Sequence, residues 1–426
     1  MKNPAQDRSW TLNVNSRQTT AALAIPIVFA LAIMLAHGAQ AQTFQVIHEF
    51  TGGGDGGDPL AGLTTDSEGN FYGTTFSGGL GYGTVFKLWH VAGGWRITPL
   101  YSFQGGADGS GPHGRVIFGP DGSLYGTTYE GGGGCTQYGG CGTVFKLTPP
   151  VTACKSAICP WTETVLYRAA TDNGQELWGE VVFDQAGNLY ATVALGGLHD
   201  GGYVFELTPY GNGWTRKILY SFNPDDGDCN DPEGGVLFDS SGNLYGTANT
   251  GCPYNIGGVY ELTPSGSGWT ESVIISFQDM TDGDGSMAGL IPDGHGGFYG
   301  TTFDLGPNGG GTVFELTPPG GSWMFSLVYS FTYFDNNGSG LLAPVSMDAK
   351  GNLYGTTFEC EECRGTVFEL TPSSGTWTRN VLYRFTGGDD GGFPYSNVVF
   401  DSSGNLYGTA SYYGASGQGV IWEITP

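Results

Sequence analysis

Apolar and polar positions along this chain repeat with a long period, and a short phrase marks each repeat. The phrase is Gly, usually Asn, then an aromatic residue or Leu, then Tyr, and usually Gly-Thr. Its tyrosines lie 53 to 65 residues apart and are Tyr72, Tyr125, Tyr190, Tyr245, Tyr299, Tyr354 and Tyr407. Repeats of this length that contain several strand-like runs are typical of solenoids, arrays and propellers.

Each repeat contains four strand-like runs that are separated by Gly- and Pro-containing turns. In the repeat around Tyr245 these runs are 214–222, 235–239, 243–247 and 258–264. Many of the runs are apolar on both faces, as in sheets that are buried on both sides. No segment after the first 41 residues has the 3.6-residue apolar period of a helix. The sequence therefore predicts an all-β fold, a seven-bladed β-propeller of four-stranded blades.

The ends of the repeat region predict how the ring closes. The phrase Asp-x-x-Gly-Asn-Leu-Tyr resembles the first hairpin of six-bladed lactonase-type and NHL-type propellers. This resemblance implies that the run before the Tyr phrase is innermost, so that residues 44–50 align with an outermost strand and residues 419–425 with a third strand. We therefore expect the N-terminal strand to complete the seventh blade, which removes two exposed sheet edges.

The first 41 residues are predicted to be a secretory signal peptide. Lys2, Arg8 and Arg17 precede an apolar run over 21–36, and the small-x-small sequence Ala39-Gln40-Ala41 follows it. The run is shorter than a membrane-spanning helix requires, and Pro26 interrupts it. A retained N-terminal anchor is the alternative. We expect cleavage after Ala41 and a single propeller domain over 42–426, secreted or periplasmic, with no membrane span.

The charge of the chain excludes several classes of partner. The formal net charge is −25, with 40 acidic and 15 basic residues. Such a surface repels nucleic acid and anionic lipid, so we expect neither as a partner. The 23 Tyr, 25 Phe and 10 Trp side chains supply enough apolar area for a large core, which argues against disorder. A monomer is expected.

The eight cysteines predict disulfides. Their number is even, and all follow the predicted signal peptide. Proximity in the sequence favours four pairs, which are Cys135–Cys141, Cys154–Cys159, Cys229–Cys252 and Cys360–Cys363. An alternative interpretation of the Cys360-Glu-Glu-Cys363 sequence is half a zinc site or a redox pair.

Comparison of the seven repeats separates scaffold positions from variable positions. Six residues before the Tyr, Asp recurs in every repeat except that of Gly119, and three residues before it Gly recurs in all seven. An Asp that initiates a turn and a Gly that adopts a positive φ explain both positions better than a catalytic ring of aspartates. The repeated Tyr and Trp side chains are predicted to pack between blades.

Two variable positions in each repeat are predicted to lie at the mouth of the central channel, where the innermost strands begin. Twelve residues before the Tyr stand Leu60, His113, Trp178, Glu233, Met287, Leu342 and Tyr395. Two residues later stand Gly62, Arg115, Glu180, Gly235, Gly289, Pro344 and Asn397. Because these positions vary while the scaffold repeats, we expect them to read a ligand. The ligand-binding candidates are His113, Arg115, Trp178, Glu180, Glu233, Tyr395 and Asn397.

The sequence offers weaker signals for a metal and for catalysis. Asp282-Gly-Asp284-Gly-Ser286 places oxygens at alternate positions, as calcium loops do, but it lacks the Gly that an EF-hand has at the sixth position. An irregular Ca²⁺ site with Asp282 and Asp284 is one interpretation, and a solvated acidic rim is the other. No cofactor is required. No G-x-S-x-G, P-loop or H-E-x-x-H motif occurs, and we assign no catalytic residue.

Three repeated phrases resemble those of the GloVer tandem-repeat family of exported bacterial proteins. They are Gly-Asn-Leu-Tyr-Gly-Thr-Thr, Gly-Thr-Val-Phe-Glu-Leu-Thr-Pro and Leu-Tyr-Ser-Phe, and the resemblance covers residues 44–426. It implies an exported protein with no established activity and a variable C-terminal anchor. Nothing follows Thr425-Pro426 here, which favours a released or periplasmic protein.

These observations support three hypotheses of function. The first is a non-catalytic binding protein that recognises carbohydrate or protein through an acidic and aromatic loop face. The second is a metal-dependent hydrolase or lactonase at the channel mouth, where Glu180, Glu233 and Asn397 would hold the metal. The third is a structural surface protein. Binding that survives replacement of Glu180 and Glu233 would favour the first hypothesis, and turnover that EDTA abolishes would favour the second.

Overall fold

The computed structural model describes residues 42–133, 141–150, 160–169, 176–318, 322–333 and 335–425. These residues form 31 strands, one 3₁₀ turn (Pro224–Asp226) and one short helix, α1 (Asp279–Asp282). Residues 44–425 form one unit, a seven-bladed β-propeller, which confirms the predicted fold class.

The first strand in the chain is β1 (Thr43–Glu49), and complete blades follow it. Blade 1 comprises β2 (Thr64–Thr65), β3 (Phe71–Thr75), β4 (Thr84–Val91) and β5 (Gly94–Ser102). Blade 2 comprises β6 (Ser110–Pro112), β7 (Ile117–Phe118), β8 (Leu124–Glu130), β9 (Thr143–Thr148) and β10 (Thr162–Arg168). Blade 3 comprises β11 (Val182–Phe183), β12 (Leu189–Val193), β13 (Tyr203–Tyr210) and β14 (Gly213–Ser221).

The remaining blades follow the same pattern. Two short strands, β15 (Cys229–Asn230) and β18 (Thr250–Gly251), pair outside blade 4, which comprises β16 (Leu237–Phe238), β17 (Leu244–Ala248), β19 (Gly258–Ser265) and β20 (Gly268–Ser276). Blade 5 comprises β21 (Ile291–Pro292), β22 (Phe298–Thr302), β23 (Gly309–Thr317) and β24 (Met324–Thr332). Blade 6 comprises β25 (Ser346–Met347), β26 (Leu353–Thr357), β27 (Thr366–Ser373) and β28 (Thr376–Arg384). Blade 7 adds β29 (Val399–Phe400), β30 (Leu406–Ala410) and β31 (Val420–Thr425).

The N-terminal strand closes the ring as predicted. The strand order in blade 7 is β1-β31-β30-β29, so β1 is the outermost strand of the last blade. The Phe50 N–H donates to the Gly419 carbonyl at 3.0 Å, and the Phe50 side chain is fully buried. The Phe44 ring stacks on Tyr383 of blade 6 with a centroid distance of 3.6 Å. The closing strand is therefore held by backbone pairing and by two aromatic side chains.

The repeated Asp is a turn residue, as the sequence indicates. One Asp239 carboxylate oxygen accepts hydrogen bonds from the backbone N–H groups of Ser241 and Asn243, and the other accepts from the Asn243 amide and the Tyr245 hydroxyl. In blade 2, where Gly119 replaces the Asp, Asp121 takes over this role. The repeated Asp therefore fixes the hairpin between the two inner strands, and it lies on the face opposite the channel mouth.

The repeated Trp and Tyr side chains pack between neighbouring blades, as the sequence also predicts. In five blades the Trp at or just before the start of the outermost strand contacts the Tyr of the preceding blade. Ring-centroid distances are 5.8 Å for Trp95–Tyr407, 6.3 Å for Trp161–Tyr72, 6.4 Å for Trp214–Tyr125, 5.6 Å for Trp323–Tyr245 and 6.3 Å for Trp377–Tyr299. The first of these contacts joins blade 1 to blade 7, so the packing continues across the closure.

A ring of threonine hydroxyls connects the blades around the channel. In six of the seven repeats the Thr two residues after the repeated Tyr donates to a backbone carbonyl of the next blade, eleven residues before that blade's own Tyr. The observed pairs are Thr127–Gly179, Thr192–Gly234, Thr247–Ala288, Thr301–Ala343, Thr356–Ser396 and Thr409–Ala61. The seventh hydroxyl, that of Thr74, is buried and has no partner. The ring is therefore interrupted between blades 1 and 2.

This difference predicts unequal effects of the same substitution. Thr247→Val should lower the free energy of unfolding by about 1–2 kcal/mol, because the buried Ala288 carbonyl loses its donor. Thr74→Val should change it by about 0 kcal/mol or stabilise slightly, because it removes a buried hydroxyl that makes no hydrogen bond. Urea unfolding of both variants measures the difference. Equal losses in the two variants would contradict the role given to these hydroxyls.

Two of the predicted disulfides are confirmed, Cys229–Cys252 and Cys360–Cys363. The Cys360–Cys363 bond leaves no free thiolates there for a zinc site, and it is compatible with the redox-pair alternative. Cys141 is also disulfide-bonded, whereas Cys135, Cys154 and Cys159 lie outside the described residues. No helix in the described part of the chain has the length and apolar character that a membrane crossing requires.

Candidate functional site

The segments that lead into the innermost strands line a cavity at one end of the channel. Along each segment half-buried and buried residues alternate, because successive side chains of extended chain point to opposite sides. Apart from the buried Gly62, the residues at the two variable positions of each repeat are the half-buried ones, and all fourteen line one cavity of about 760 Å³. The cavity therefore contains all seven ligand-binding candidates. Their role in binding stays a prediction.

Polar side chains from blades 7, 2 and 3 form an arc on one side of this cavity. The Arg115 guanidinium donates to both carboxylate oxygens of Glu180, at 2.8 and 2.7 Å. The Glu180 charge raises the pKa of Arg115. Gly62 separates Arg115 from Asn397, and a Cβ atom at Gly62 would lie 1.9 Å from the Asn397 Oδ1 atom. Gly62 is therefore required for Asn397 to occupy its observed position.

An aromatic wall formed by His113, Tyr129 and Trp178, with Glu176 behind it, lies at the junction of blades 2 and 3; we refer to it as the Trp178 wall. The Trp178 ring contacts His113 at 4.4 Å and Tyr129 at 4.8 Å between centroids. Both the Trp178 indole N–H and the Tyr129 hydroxyl donate to the Glu176 carboxylate, at 3.1 and 3.2 Å. Burial lowers the pKa of His113 to about 4, although a hydrogen bond to the Trp178 backbone opposes this shift. His113 is therefore a neutral imidazole at physiological pH.

A second aromatic wall, formed by Phe358, Phe393, Tyr395 and Tyr412, lies at the junction of blades 6 and 7; we refer to it as the Tyr395 wall. Phe358 contacts Phe393 at 4.7 Å and Tyr395 at 5.1 Å, and Tyr412 lies 6.2 Å from Phe393. The Tyr412 side chain is 39% exposed, so this wall presents an aromatic face to solvent. Burial raises the pKa of Tyr395 to about 12. The hydroxyl of Tyr395 therefore stays protonated.

The carboxylates of Glu176, Asp231 and Glu233 come close together at the junction of blades 3 and 4. Burial, together with repulsion from Asp231 and Glu176, raises the pKa of Glu233 to about 8, and a hydrogen bond from Asn249 partly offsets the shift. Burial also raises the pKa of Asp231. The turn aspartates on the opposite face differ. Although their partial burial acts in the other direction, hydrogen bonds hold the pKa values of Asp66, Asp121 and Asp184 below the usual value.

The rest of the cavity is apolar. Blades 5, 6 and 1 contribute Met287, Leu342, Pro344 and Leu60 to the lining. The cavity therefore has a polar half, which carries the ion pair and Glu233, and an apolar half. Its chemistry is asymmetric although its backbone is close to seven-fold symmetric, so it can orient a ligand that has unlike sides.

Sequence reasoning missed one tier of the site. Glu176, Tyr129, Phe358 and Phe393 were not among the candidates, yet they hold the two walls in place. Tyr129 and Phe358 belong to a third variable position, four residues after each repeated Tyr. The same comparison of repeats would have found it, since its seven residues are Phe76, Tyr129, Ala194, Asn249, Phe303, Phe358 and Ser411.

The two predicted metal residues lie away from the cavity lining. Asp282 ends α1 and is buried, and Asp284 pairs through its backbone with Asp304. Burial raises the pKa values of both carboxyls, and Asp279 and Asp304 add repulsion at Asp284. In the part of the chain that the structure describes, no group of three or more His, Cys, Asp or Glu side chains is arranged to hold a metal ion. The Ca²⁺ site stays a prediction.

Several solved structures are similar to this chain. The polysaccharide lyase Uly1 has a TM-score of 0.50 at 12% identity, and the match covers 87% of this chain and 89% of that one. A protein assigned as a 6-phosphogluconolactonase, from Bacteroides uniformis ATCC 8492, has a TM-score of 0.48 at 13% identity, with 86% and 100% covered. A glucose dehydrogenase has a TM-score of 0.44 at 14% identity, with 90% and 99% covered. At these identities the similarity concerns the fold alone.

No curated protein matches the chain. A model of one repeat family does match it, over residues 35–235, 137–362 and 231–426, which together include every blade. This match confirms the resemblance seen in the repeated phrases. The chain belongs to the Gloeobacter/Verrucomicrobia repeat family.

Proposed function

We propose that the protein is an exported, non-catalytic propeller that binds a saccharide at the mouth of its central channel. The observation that carries the proposal is the cavity of about 760 Å³, in which aromatic rings and hydrogen-bonding side chains converge. This volume lies within the range of small-molecule sites, which are concave and combine apolar walls with a few placed polar groups.

The chemistry of the lining suits a sugar ring. A sugar has apolar C–H faces and hydroxyls around its edge, so it needs both stacking surfaces and hydrogen-bonding groups. Trp178 and Tyr395 supply amphipathic aromatic surfaces. Glu180, Glu233 and Asn397 supply acceptors and donors in the same cavity.

The polar groups are held in place before any ligand arrives. Arg115 and Glu180 restrain each other through two parallel hydrogen bonds, a geometry that fixes both side chains. Asn249 donates to Glu233 at 3.0 Å. Side chains that are already ordered lose little entropy when they bind, which favours recognition by this surface.

A glycan array, probed with and without calcium, tests the proposal. We expect binding of at least one glycan class, and Trp178→Ala and Tyr395→Ala should each weaken it about tenfold or more, the equivalent of about 1.4 kcal/mol. Tyr210→Ala is the matched control, because Tyr210 is 78% exposed on the β13–β14 hairpin of the opposite face. Absence of glycan binding, or an equal loss with Tyr210→Ala, would contradict the proposal.

The second candidate function is hydrolysis at the same mouth, and one observation favours it. The raised pKa of Glu233, about 8, is that of a carboxyl group that can donate a proton near neutral pH. A hydrolase would lose turnover with Glu233→Gln, whereas a binding protein would show no turnover of glycans or lactones before or after the substitution. A metal-dependent reaction would in addition stop with EDTA.

Export is part of the proposal. Disulfides form and persist in oxidising compartments, and two join described residues of this chain. Cleavage after Ala41 would release the ring with β1 close to its N-terminus, and N-terminal sequencing of the exported protein tests this. The excess of acidic residues argues against nucleic acid as a partner.

A further inference from the structure

One backbone position at the channel mouth is left-handed in all seven blades. It lies fourteen residues before the repeated Tyr, where the loop from the preceding blade turns towards the innermost strand. The φ angles are +54° at Asp58, +60° at Gly111, +69° at Glu176, +59° at Asp231, +63° at Gly285, +74° at Gly340 and +54° at Phe393. In six blades the carbonyl of this residue accepts the N–H of the third variable position, for example Ala194 N–H to Glu176 at 3.1 Å. The scaffold therefore imposes the conformation.

Gly is the residue that best suits this backbone conformation, and four of the seven blades have another residue there. Gly adopts a positive φ without strain, and three blades use it. Asp adopts this conformation more often than most other residues with a side chain, and two blades have it, at Asp58 and Asp231. Glu and Phe rarely adopt a positive φ. Glu176 and Phe393 are therefore present although the backbone conformation at this position favours Gly. Strain of this kind concentrates at ligand clamps and active sites.

Glu176 orients the Trp178 wall. Its two carboxylate oxygens accept from the Trp178 indole at 3.1 Å and from the Tyr129 hydroxyl at 3.2 Å. These two hydrogen bonds restrain the orientation of both rings. Glu176 also lies near Asp231 and Glu233, whose carboxyls it repels. Glu176 is therefore unfavourable both for its backbone conformation and for its repulsion with neighbouring carboxylates. Its side-chain hydrogen bonds are those that orient the Trp178 and Tyr129 rings.

Phe393 plays the corresponding part in the Tyr395 wall. It contacts Phe358 at 4.7 Å, and Phe358 in turn contacts Tyr395 at 5.1 Å. On its other side it lies 6.0 Å from the Arg364 guanidinium and 5.7 Å from the Tyr413 ring. Phe393 therefore supports Tyr395, the ring that lines the cavity, through Phe358.

We infer that Glu176 and Phe393 are positioning residues that hold the Trp178 wall and the Tyr395 wall at a fixed separation, so that the two walls contact one saccharide chain from opposite sides of the channel mouth. The inference rests on the proposed saccharide binding. Trp178 and Tyr395 come from blades 3 and 7 yet line the same cavity. The ligand class that follows is an oligosaccharide long enough to touch both walls, rather than a single sugar.

Substitution by Gly at these two positions separates a positioning role from a structural one. Glu176→Gly and Phe393→Gly each relieve the left-handed strain, so Glu176→Gly should raise the thermal midpoint. Phe393→Gly should lower it, because the lost ring contacts cost more than the relieved strain. Both should weaken binding about tenfold or more. The probe is the soluble form of the glycan that binds wild-type protein best on the array, measured by titration calorimetry beside its monosaccharide unit. The monosaccharide should bind weakly to the wild type and lose little in either variant.

Two further variants complete the test. Asp58→Gly relieves the same strain in blade 1, where the carboxylate accepts from the Ser77 hydroxyl at 2.6 Å instead of orienting an aromatic ring, and it should keep wild-type affinity. Glu176→Gln keeps an acceptor for the Trp178 indole and should retain most of the binding without raising the thermal midpoint. If the wild type binds glycans and Glu176→Gly binds equally well, the inference fails and the proposed function stands. If the wild type binds none, both fail.

Discussion

A chain that begins at residue 51, and so lacks β1, is expected to lose the cooperative unfolding transition that the chain from residue 42 shows. Without β1 the β31 edge of blade 7 has no partner, and the fully buried Phe50 leaves its place among Phe86, Leu63 and Ile421. Phe50→Ala alone should cost about 3–5 kcal/mol, as for other large core side chains. Calorimetry and limited proteolysis of the two chains measure the effect.

The matched control for this prediction is Phe222→Ala. Phe222 directly follows the outermost strand of blade 3, as Phe50 follows β1 in blade 7, and it is equally buried. Similar losses for Phe50→Ala and Phe222→Ala would show that the closing strand is as firmly packed as an internal one. A peptide of residues 43–50 added to the shortened chain should restore part of the transition. An unchanged thermal midpoint in the shortened chain would overturn closure by β1.

Glu233→Gln is expected to stabilise the protein at pH 8.5 by up to about 4–5 kcal/mol and to change little at pH 4.5, since each pKa unit between 4.5 and 8 corresponds to about 1.4 kcal/mol. The pKa of Glu233 is about 8 in the folded protein, whereas the ordinary value for a Glu side chain is 4.5. A group whose pKa is raised by folding contributes its full stability below the lower value, and the contribution is lost as pH rises to the upper one. The window is therefore pH 4.5 to 8. The Gln side chain keeps an acceptor for Asn249.

Thermal midpoints of wild type and variant across that window check the prediction. The wild-type midpoint should fall with rising pH, and the variant should fall less. Some decline should remain in the variant, because burial raises the pKa values of Glu163 and Glu271, both on outermost strands, to about 7. The turn aspartates act only at lower pH, since their pKa values are below the usual value. Parallel curves for the two proteins would show that Glu233 is not the group responsible.

The two aromatic walls show how far comparison of repeats can go in locating a site. Seven copies of one unit act as their own alignment, so positions that repeat mark the scaffold and positions that vary mark the mouth. This reasoning brought His113, Trp178 and Tyr395 together although they lie far apart in the chain. The comparison of repeats did not identify Glu176 and Phe393. Their importance depends on a left-handed backbone conformation, which cannot be inferred from the residue type. A Glu or a Phe in a loop gives no sign of its φ angle.

The ring of threonine hydroxyls also shows what the sequence can predict and what it cannot. The Thr after each Tyr-Gly or Tyr-Ala pair is visible in all seven repeats, yet the sequence does not reveal that six of the hydroxyls bond to the next blade and that Thr74 does not. In each bonded pair the hydroxyl and the carbonyl lie forty or more residues apart in the chain, as Thr247 and Ala288 do. Hydrogen bonds between repeats are tertiary contacts even when the repeats are identical.

The sequence by itself determined the number of blades, the order of strands within each blade, the closing role of residues 44–50 and two of the disulfide pairs. These follow from local rules, since alternation, turn residues and repeat phase are properties of short segments. Only the tertiary structure decided that Arg115 pairs with Glu180, that Glu176 and Phe393 support the aromatic walls, and that the carboxylates of Glu176 and Asp231 lie near Glu233. Those contacts join different blades, and their distances are set by how seven nearly equal units pack around one axis.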